Sequence, residues 1–299
     1  MNAIYQAIGI SKQSFHQQMD LGMKQMEERQ QLWPLIAQIR GNHPRMSARE
    51  IYRLMHPEHI GRDRFIAFCF ENGYKLERKR AFHRTTDSRG VIRFDNLMLH
   101  REFTGINQCW VSDITYYRID DHFYYLTFIT DLYSRRIVGH SVSDNLMTED
   151  TSLPALKRAL KQRPRRRPWS EELILHSDGG GQYYSKTLIA LTKKYQIKNS
   201  MCESVYENPH AERVNGTIKN DYLIHYGPKD FHQLKQMTQK AVEMYNLYRP
   251  HKSLNGMVPR AFEELSSRST SAVPSPKTRP SRAPSPVWTL SGDSMMKDD

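Results

Sequence analysis

Three carboxylates of this sequence fall where an element of secondary structure should begin or end. The richest segment reads "YENPHAERVNGTIK" and holds Glu207 and Glu212. Asn208 and Pro209 indicate a helix start, because asparagine caps helices well and proline suits the first helical position. Glu212 then lies one turn inside that helix, with Lys219 on the same face, whereas Glu207 lies outside it. Such a carboxylate and lysine could hold a cation and an adjacent phosphate, although a solvated helix would show the same charges.

Two aspartates upstream complete a possible site. Asp113 stands inside "CWVSDITYY", where a buried and unpaired charge would be costly. Asp178 ends "ELILHS" and precedes three glycines, which let the backbone leave a sheet tightly. Each aspartate alone could be a turn former or a strand-end residue. Together with Glu212 they predict a site for hard divalent cations, Mg²⁺ with Mn²⁺ as a substitute, since carboxylate oxygens suit such ions.

The elements that must position these carboxylates follow from the surrounding pattern. Three segments rich in β-branched and aromatic residues, "CWVSDITYYRI", "FYYLTFITDLYS" and "RRIVGHSVSD", predict strands. A helix capped by Thr148 follows, and then short strands alternate with helices. The order β-β-β-α-β-α-β-α predicts an α/β domain with a mixed sheet, as in the ribonuclease-H-like fold. Residues 105–265 form this domain together with C-terminal helices.

Residues 1–75 have the pattern of an all-α region. Gly9 can turn the chain and Ser11 can cap a following helix with Lys12 exposed, which is similar to half of a helix-turn-helix. A plain helical hairpin is the alternative.

A second helical unit follows within this region. Ser47 and Glu50 have the spacing of a capping box. Arg62 and Arg64 begin the next helix, where they could contact a phosphate backbone or bases. A small three-helix domain with solvated arginines would give the same pattern.

The charge of the chain indicates a polyanionic partner. Its formal net charge is +12 and its pI is about 9.5, which favours nucleic acid. Arg165, Arg166 and Arg167, in "KRALKQRPRRRPWS", are the best candidates for contacts to a DNA backbone, unless they form a solvated basic loop.

Composition separates two further segments. Residues 76–104 are basic and weakly patterned, which predicts a linker, and the Pro/Ser-rich residues 266–299 predict a disordered tail. No signal peptide or membrane span is expected, because no apolar run approaches the roughly 20 residues that a spanning helix needs. The three cysteines form no C-x-x-C pair, so neither a disulfide framework nor a zinc site is supported, and we expect a cytoplasmic protein.

Five stretches carry a resemblance to a known family: "NQCWVSDITYY", "ITDLYSRRIVGHSVS", "LHSDGGGQYYS", "YENPHAERVNGTIK" and "YNLYRPHKSLNGMVPRAF". In order and spacing they resemble bacterial insertion-sequence transposases with a retroviral-integrase-like Asp-Asp-Glu core. The most similar group is the second-frame (orfB) product of the third insertion-sequence family, and the resemblance runs from about residue 35 to 263.

The resemblance implies that Asp113, Asp178 and Glu212 are the catalytic triad and bind two metal ions. It also implies that Lys219 lies near the attacked DNA end, and Asn208 and Arg213 beside the glutamate are further candidate DNA contacts. Water would first free a 3′-OH at the element's end, and that 3′-OH would attack a second phosphodiester.

The implied partners are the element ends, target DNA and further copies of the chain. A protein from an upstream frame (orfA), as a partner or fused by frameshift, is a further possibility. Between Asp178 and Glu212 lie 33 residues, two fewer than is usual in the family. The shortening leaves an alternative function open, a catalytically impaired relative that binds DNA and represses or competes with transposition. A ribonuclease-H-like nuclease without strand transfer is a weaker alternative.

Overall fold

A computed structural model describes residue 9 and residues 11–58, 60–76, 94–99, 101–163, 172–202 and 208–268. The described residues fall into two compact units, one up to residue 76 and one from residue 94 onward. Glu207, the three consecutive arginines at 165–167 and the Pro/Ser-rich residues from 269 onward lie outside the described residues.

The N-terminal unit consists of three helices: α1 (Lys12–Asn42), α2 (Ala48–Met55) and α3 (Arg62–Glu71). Their core contains Ile36, Ile39, Ile51 and Phe65, all fully buried. The capping box before α2 is confirmed, because the Ser47 N–H donates to the Glu50 carboxylate at 2.9 Å and the Glu50 N–H donates to the Ser47 hydroxyl at 3.3 Å.

Helix α1 is longer than the sequence pattern suggested. Ser11 is its cap, as predicted, and accepts a hydrogen bond from the Ser14 N–H at 3.1 Å. The helix then continues without a break through residues 21–31 and past Pro34. That segment, "LGMKQMEERQQ", is made almost entirely of strong helix formers, which explains why the helix does not break there.

The second unit is built on a five-stranded sheet with the order β3-β2-β1-β4-β5. Strand β2 is antiparallel to both neighbours, whereas β1, β4 and β5 are parallel. The mixed sheet of the expected ribonuclease-H-like fold is therefore confirmed. The strands are β1 (Cys109–Ile119), β2 (His122–Asp131), β3 (Ile137–Ser143), β4 (Leu173–Ser177) and β5 (Ile197–Met201).

Helices cover both faces of this sheet. On one face α4 (Ser152–Gln162) and α5 (Lys186–Lys194) pack over a core that includes Trp110, Leu156 and Leu175. On the other face lie α6 (Pro209–Thr217) and α7 (Phe231–Tyr248), and α8 (Pro259–Arg268) follows. Helix α6 continues without a break into a π-helical segment, Ile218–Leu223, and a last turn, Ile224–Tyr226.

The predicted cap of α4 was wrong. The helix begins at Ser152 after Thr151, and the Thr148 hydroxyl instead donates to the Gln182 carbonyl at 3.4 Å. Proline explains the difference. A start after Thr148 would put Pro154 in the helix interior, where its ring clashes with a carbonyl, whereas a start at Ser152 puts it in the first turn.

The end of the predicted linker packs on the second unit. Leu97, Met98 and Phe103 contact a small cluster that includes Val111 and Ala211. The Leu97 N–H also donates to the Ser200 hydroxyl at 2.9 Å. Apolar side chains in this short stretch therefore make it part of the domain.

Two further properties concern the described residues as a whole. The helices among them include none long and apolar enough to cross a membrane. Cys69, Cys109 and Cys202 are buried free thiols, and burial raises the pKa of Cys69 to about 11 and that of Cys109 to about 12.

Gly139 permits the contact between β3 and α4. A Cβ at this position would lie 2.2 Å from the carbonyl oxygen of Ala155, which is backbone and cannot rotate away. We therefore expect Gly139→Ala to lower the free energy of unfolding by about 1–3 kcal/mol or more. Urea denaturation followed by circular dichroism measures this.

Gly216→Ala is the matched control. Its added Cβ would meet nothing closer than the Asn220 amide nitrogen at 3.8 Å, and Gly216 lies within α6. Alanine should leave stability unchanged or raise it by up to about 1 kcal/mol. Equal behaviour of the two variants would refute the close-approach explanation.

Candidate active site

Asp113 and Asp178 lie level with each other on neighbouring parallel strands. The register pairs Trp110 with Leu175 and Val111 with His176. Two residues further along, the same register brings Asp113 beside Asp178, where β4 has just ended. Neighbouring strands lie about 4.8 Å apart, and paired residues of parallel strands point to the same face. The two carboxylates therefore share one face and one edge of the sheet.

The backbone beyond β4 holds Asp178. The Gly180 N–H donates to Asp178 Oδ1 at 3.2 Å, and a Cβ on Gly180 would lie 3.1 Å from that oxygen. Burial raises the pKa of Asp178, and the hydrogen bonds from backbone N–H groups oppose this only partly. No Lys or Arg of the described residues forms an ion pair with it. The glycines therefore leave a partly buried carboxylate without a protein cation.

Asp113 is fixed by α6. The Asn215 amide donates from Nδ2 to Asp113 Oδ2 at 2.7 Å, and the Asn208 amide donates to the Ser112 carbonyl at 3.0 Å. The Ser112 hydroxyl lies on the opposite face, 2.8 Å from the hydroxyl of the buried Tyr183. Hydrogen bonds therefore hold this part of β1 from both faces.

The helix and the strand run in step. Asp113, Thr115 and Tyr117 alternate on one face of β1, and they contact Asn215, Lys219 and Leu223 in turn. Two residues of strand advance about 6.7 Å and four residues of helix about 6.0 Å, so successive contacts stay aligned.

Glu212 lies on the helical stripe that makes these contacts. Positions 208, 212, 215 and 219 fall within about 60° around a helix, because each residue turns it by about 100°. The contacts of Asn208, Asn215 and Lys219 aim this stripe at β1. Glu212 itself is half-buried in the first turns of α6.

The three carboxylates do not share a closed coordination shell. Within the described ranges, no group of three His, Cys, Asp or Glu side chains is close enough to hold a metal ion. The fold thus brings Asp113 and Asp178 to one edge and Glu212 to the facing helix, without drawing them together completely.

Lys219 lies beside the same strand. Its Nζ donates to the Thr115 hydroxyl at 3.0 Å and stands 4.8 Å from the centre of the Tyr116 ring. Burial lowers the pKa of Lys219, and the nearby Asp113 carboxylate opposes this. The amine therefore lies beside the strand that carries Asp113, and its role at the DNA end stays a prediction.

Sequence reasoning missed Asn215. The sequence contained a signal, since a polar residue three positions after Glu212 lies on the same face of the helix. In the structure Asn215 is buried, with 6% exposure. Asn208 occupies the predicted N-cap position but makes no capping hydrogen bond, because its side chain reaches β1 instead. Asn208 is buried, and its role as a DNA contact stays a prediction.

Neighbouring polar residues have structural contacts. Asp131 is buried and accepts hydrogen bonds from the backbone N–H groups of Asn107, Tyr133 and Ser134. His176 is buried, and its Nδ1 lies 2.9 Å from the Ser200 hydroxyl.

His210 connects α6 to the turn after β2, because its Nδ1 lies 2.8 Å from Arg135 Nη1. Burial, together with Arg135 and Arg213, lowers the pKa of His210 to about 4. Because the guanidinium must be the donor, His210 accepts with an unprotonated Nδ1. This contact ties the first turn of α6, the helix that carries Glu212, to the turn after β2.

The remaining candidate DNA contacts are spread over the chain. Arg213 is exposed on α6, and Lys12, Arg62 and Arg64 are exposed on the N-terminal unit. Arg62 forms a surface ion pair with Asp63 at 2.8 Å. Their roles stay predictions.

Comparisons with known proteins identify the family of the chain. An integrase core domain family matches residues 104–206, and a second family with the same description matches residues 193–259. The chain is 31% identical over 276 residues to the insertion element IS600 uncharacterized 31 kDa protein of Shigella sonnei, covering 87% of this chain and 97% of that protein. It is 33% identical over 173 residues to transposase InsF for insertion sequence IS3fB of Escherichia coli K12, covering 56% of this chain and 58% of InsF.

Solved structures show weaker likeness. The HTLV-2 integrase catalytic core domain in complex with magnesium is 21% identical, with a TM-score of 0.41, over 52% of this chain and 95% of that one. A chain of the simian T-cell lymphotropic virus intasome in complex with PP2A regulatory subunit B56 gamma is 17% identical, with a TM-score of 0.45, over 62% of this chain and 64% of that one. Scores this low assign no function.

The relative from Shigella sonnei matches across nearly its whole length, and the integrase core matches include all three candidate carboxylates. The family inferred from the motifs is therefore confirmed. The chain belongs to the insertion-sequence transposases of the IS3 type, DDE-type enzymes built on an integrase core domain.

Proposed function

We propose that this chain cleaves DNA strands at the ends of a bacterial insertion sequence and joins them to target DNA, with Asp113, Asp178 and Glu212 as the catalytic carboxylates. One observation carries the proposal. The β1–β4 register sets two aspartates side by side, and the helix that carries the glutamate is hydrogen-bonded to the same strand through Asn208 and Asn215.

The three side chains suit hard divalent cations in their chemistry. All three coordinate through carboxylate oxygens. Asp178 is partly buried, and this burial raises its pKa and disfavours its negative charge unless a cation is bound beside it. Asp113, Asp178 and Glu212 would hold two Mg²⁺ ions, with Mn²⁺ as a substitute. When bound, such a pair activates an attacking oxygen and stabilises the leaving 3′ oxygen of an in-line displacement.

The protein's own groups orient the reaction. Asn215 holds Oδ2 of Asp113 and so fixes the direction of that carboxylate. Lys219 supplies a positive charge further along β1, where a DNA phosphate would lie. Water attacks one phosphodiester, whose P–O bond to the 3′ oxygen breaks and leaves a free 3′-OH. That 3′-OH then attacks a second phosphodiester and displaces its 3′ oxygen, so no covalent protein–DNA bond is needed.

The proposed partners are the element ends, target DNA and further copies of the chain. The net charge of +12 supports a polyanionic substrate. An upstream-frame protein, as a partner or a fusion, and a place on the bacterial nucleoid in the cytoplasm are part of the same proposal.

A second candidate is a DNA-binding relative with impaired catalysis. Two observations favour it, the shortened segment before Glu212 and the lack of a closed group of three metal ligands among the described residues. Cleavage of a labelled element end by the unaltered protein distinguishes the two, because the second candidate would bind that end without cutting it.

We predict that Asp113→Asn, Asp178→Asn and Glu212→Gln each lower the rate of end cleavage by on the order of 10³-fold or more, since each removes a metal-binding charge. DNA binding should persist. Cleavage of a radiolabelled end in Mg²⁺ and in Mn²⁺ measures the rate, and a gel-shift assay measures binding.

Glu207→Gln is the matched control, because it removes an equal charge five residues before Glu212. It should retain activity. A dead Glu207→Gln enzyme beside an active Glu212→Gln enzyme would reverse the assignment.

We also predict that Lys219→Ala weakens binding to the element end and lowers its dependence on salt by about one released counterion, because a phosphate contact is lost. Binding titrations at several salt concentrations measure this, and Lys219→Arg, which keeps the charge, is the control. Rescue of cleavage by extra Mg²⁺ but not by lower salt would instead assign Lys219 to the support of the metal site.

A further inference from the structure

The hairpin formed by β1 and β2 extends beyond the end of β4. Strand β4 ends at Ser177, level with the residue before Asp113, whereas β1 continues to Ile119. In the described structure, this last part of β1 pairs with β2 alone, from Ile114–Thr127 to Ile119–His122. Its other edge therefore starts beside the catalytic aspartates and is open.

Two large aromatic side chains are exposed on this extension. Tyr116 is 43% exposed and Phe123 is 45% exposed. The register pairs Tyr116 with Tyr125 and Arg118 with Phe123, which puts Tyr116 and Phe123 diagonally on one face. Their ring centres are 5.4 Å apart and the planes meet at 88°. Neither ring belongs to a core cluster of the described structure, so packing does not account for the pair.

Cations stand at both rings. Lys219 Nζ lies 4.8 Å from the centre of the Tyr116 ring, and the Arg118 guanidinium carbon lies 5.9 Å from that of Phe123. Arg118 is also paired with Asp121 at 2.6 Å, whereas Lys219 has Asp113 nearby but forms no ion pair among the described residues. Lys219 is therefore the cation of the two that a phosphate can reach. Asp120 and Asp121 form the hairpin turn and would repel a phosphate there, so a nucleic acid would be held at the Lys219 end.

The platform is close to the reacting atoms. Tyr116 follows Asp113 by three residues, about 10 Å along the strand, and its side chain starts from the opposite face of β1. Lys219 contacts both the Thr115 hydroxyl and the Tyr116 ring, so it links the two faces at this end of the strand. A nucleotide one or two positions from the cleaved bond would therefore reach it.

We propose that Tyr116 and Phe123 form a stacking platform for an unpaired nucleotide of the DNA end, with Lys219 at its phosphate. The inference rests on the proposed function and adds to it that the end is bound with at least one base unstacked from the duplex. An aromatic face can stack on a base only when that base is not already stacked between its neighbours, and such stacking tolerates any base. The Lys219 ammonium at the Tyr116 ring favours a nucleic acid over an apolar protein partner, because it offers a phosphate a positive charge beside an exposed aromatic face.

The test compares binding of two element-end duplexes, one blunt and one with a short unpaired overhang, by fluorescence anisotropy without divalent metal. We expect the unaltered protein to bind the overhang about tenfold more tightly. Tyr116→Leu and Phe123→Leu keep apolar bulk without the ring, and they should lose this preference while binding the blunt duplex as before. Tyr116→Phe is the matched control, because it keeps the ring and should keep the preference.

A 2-aminopurine in the overhang reports stacking directly. Its fluorescence should be quenched by the unaltered protein and by Tyr116→Phe but not by Tyr116→Leu. Circular dichroism checks the fold, and if Tyr116→Leu does not fold, Phe123→Leu gives the same comparison.

Three outcomes would overturn the platform: equal binding of both duplexes by the unaltered protein, equal loss on both duplexes in the ring-less variants, or a change of oligomeric state in those variants, which would make the patch a contact between copies. Failure of the proposed function is distinguishable, because the unaltered protein would then not cleave the end at all.

Discussion

The hydrogen bond from the Asn215 amide to the Asp113 carboxylate joins the two parts on which the site depends. A central strand carries Asp113, and a helix from the C-terminal part of the domain carries Glu212, which are two of the proposed catalytic groups. Because the helix continues this contact at Thr115 and Tyr117, its rotation and its height above the sheet are fixed together. Glu212 needs no contact of its own to face β1, since its neighbours on the stripe already determine its direction.

Burial of polar groups around this bond prepares a site that favours a cation. Tyr183 lies fully buried beneath the strand, where burial first, and then Asp178 and Asp113, raise the pKa of its hydroxyl. Asp178 meets backbone N–H groups and no basic side chain of the described residues. Among the described residues no basic side chain forms an ion pair with Asp178, so its negative charge is left for the divalent ion of the proposed site.

The sequence predicts those features whose cause is local. Asp178 could be placed because glycines follow a short apolar strand, and the start of α6 because Asn208 and Pro209 are adjacent. Features that depend on distant partners could not be placed. The Asn208 amide donates to the Ser112 carbonyl of β1, and this partner is too far away in the chain for a local pattern to reveal it. The start of α4 lies between these two cases. Pro154 is a local signal, because a proline is tolerated only in the first turn of a helix and so disfavours a start after Thr148.

The π-helical segment after α6 separates two parts of one long helix that have different contacts. Within it the adjacent Tyr222 and Leu223 are both buried in the core, each with 0% exposure. The half before it keeps the angle that Asn208 and Asn215 require at β1. Because a π-helical turn holds more residues than an α-helical turn, the segment offsets the side chains that enter the core beyond it from the stripe that faces β1 before it.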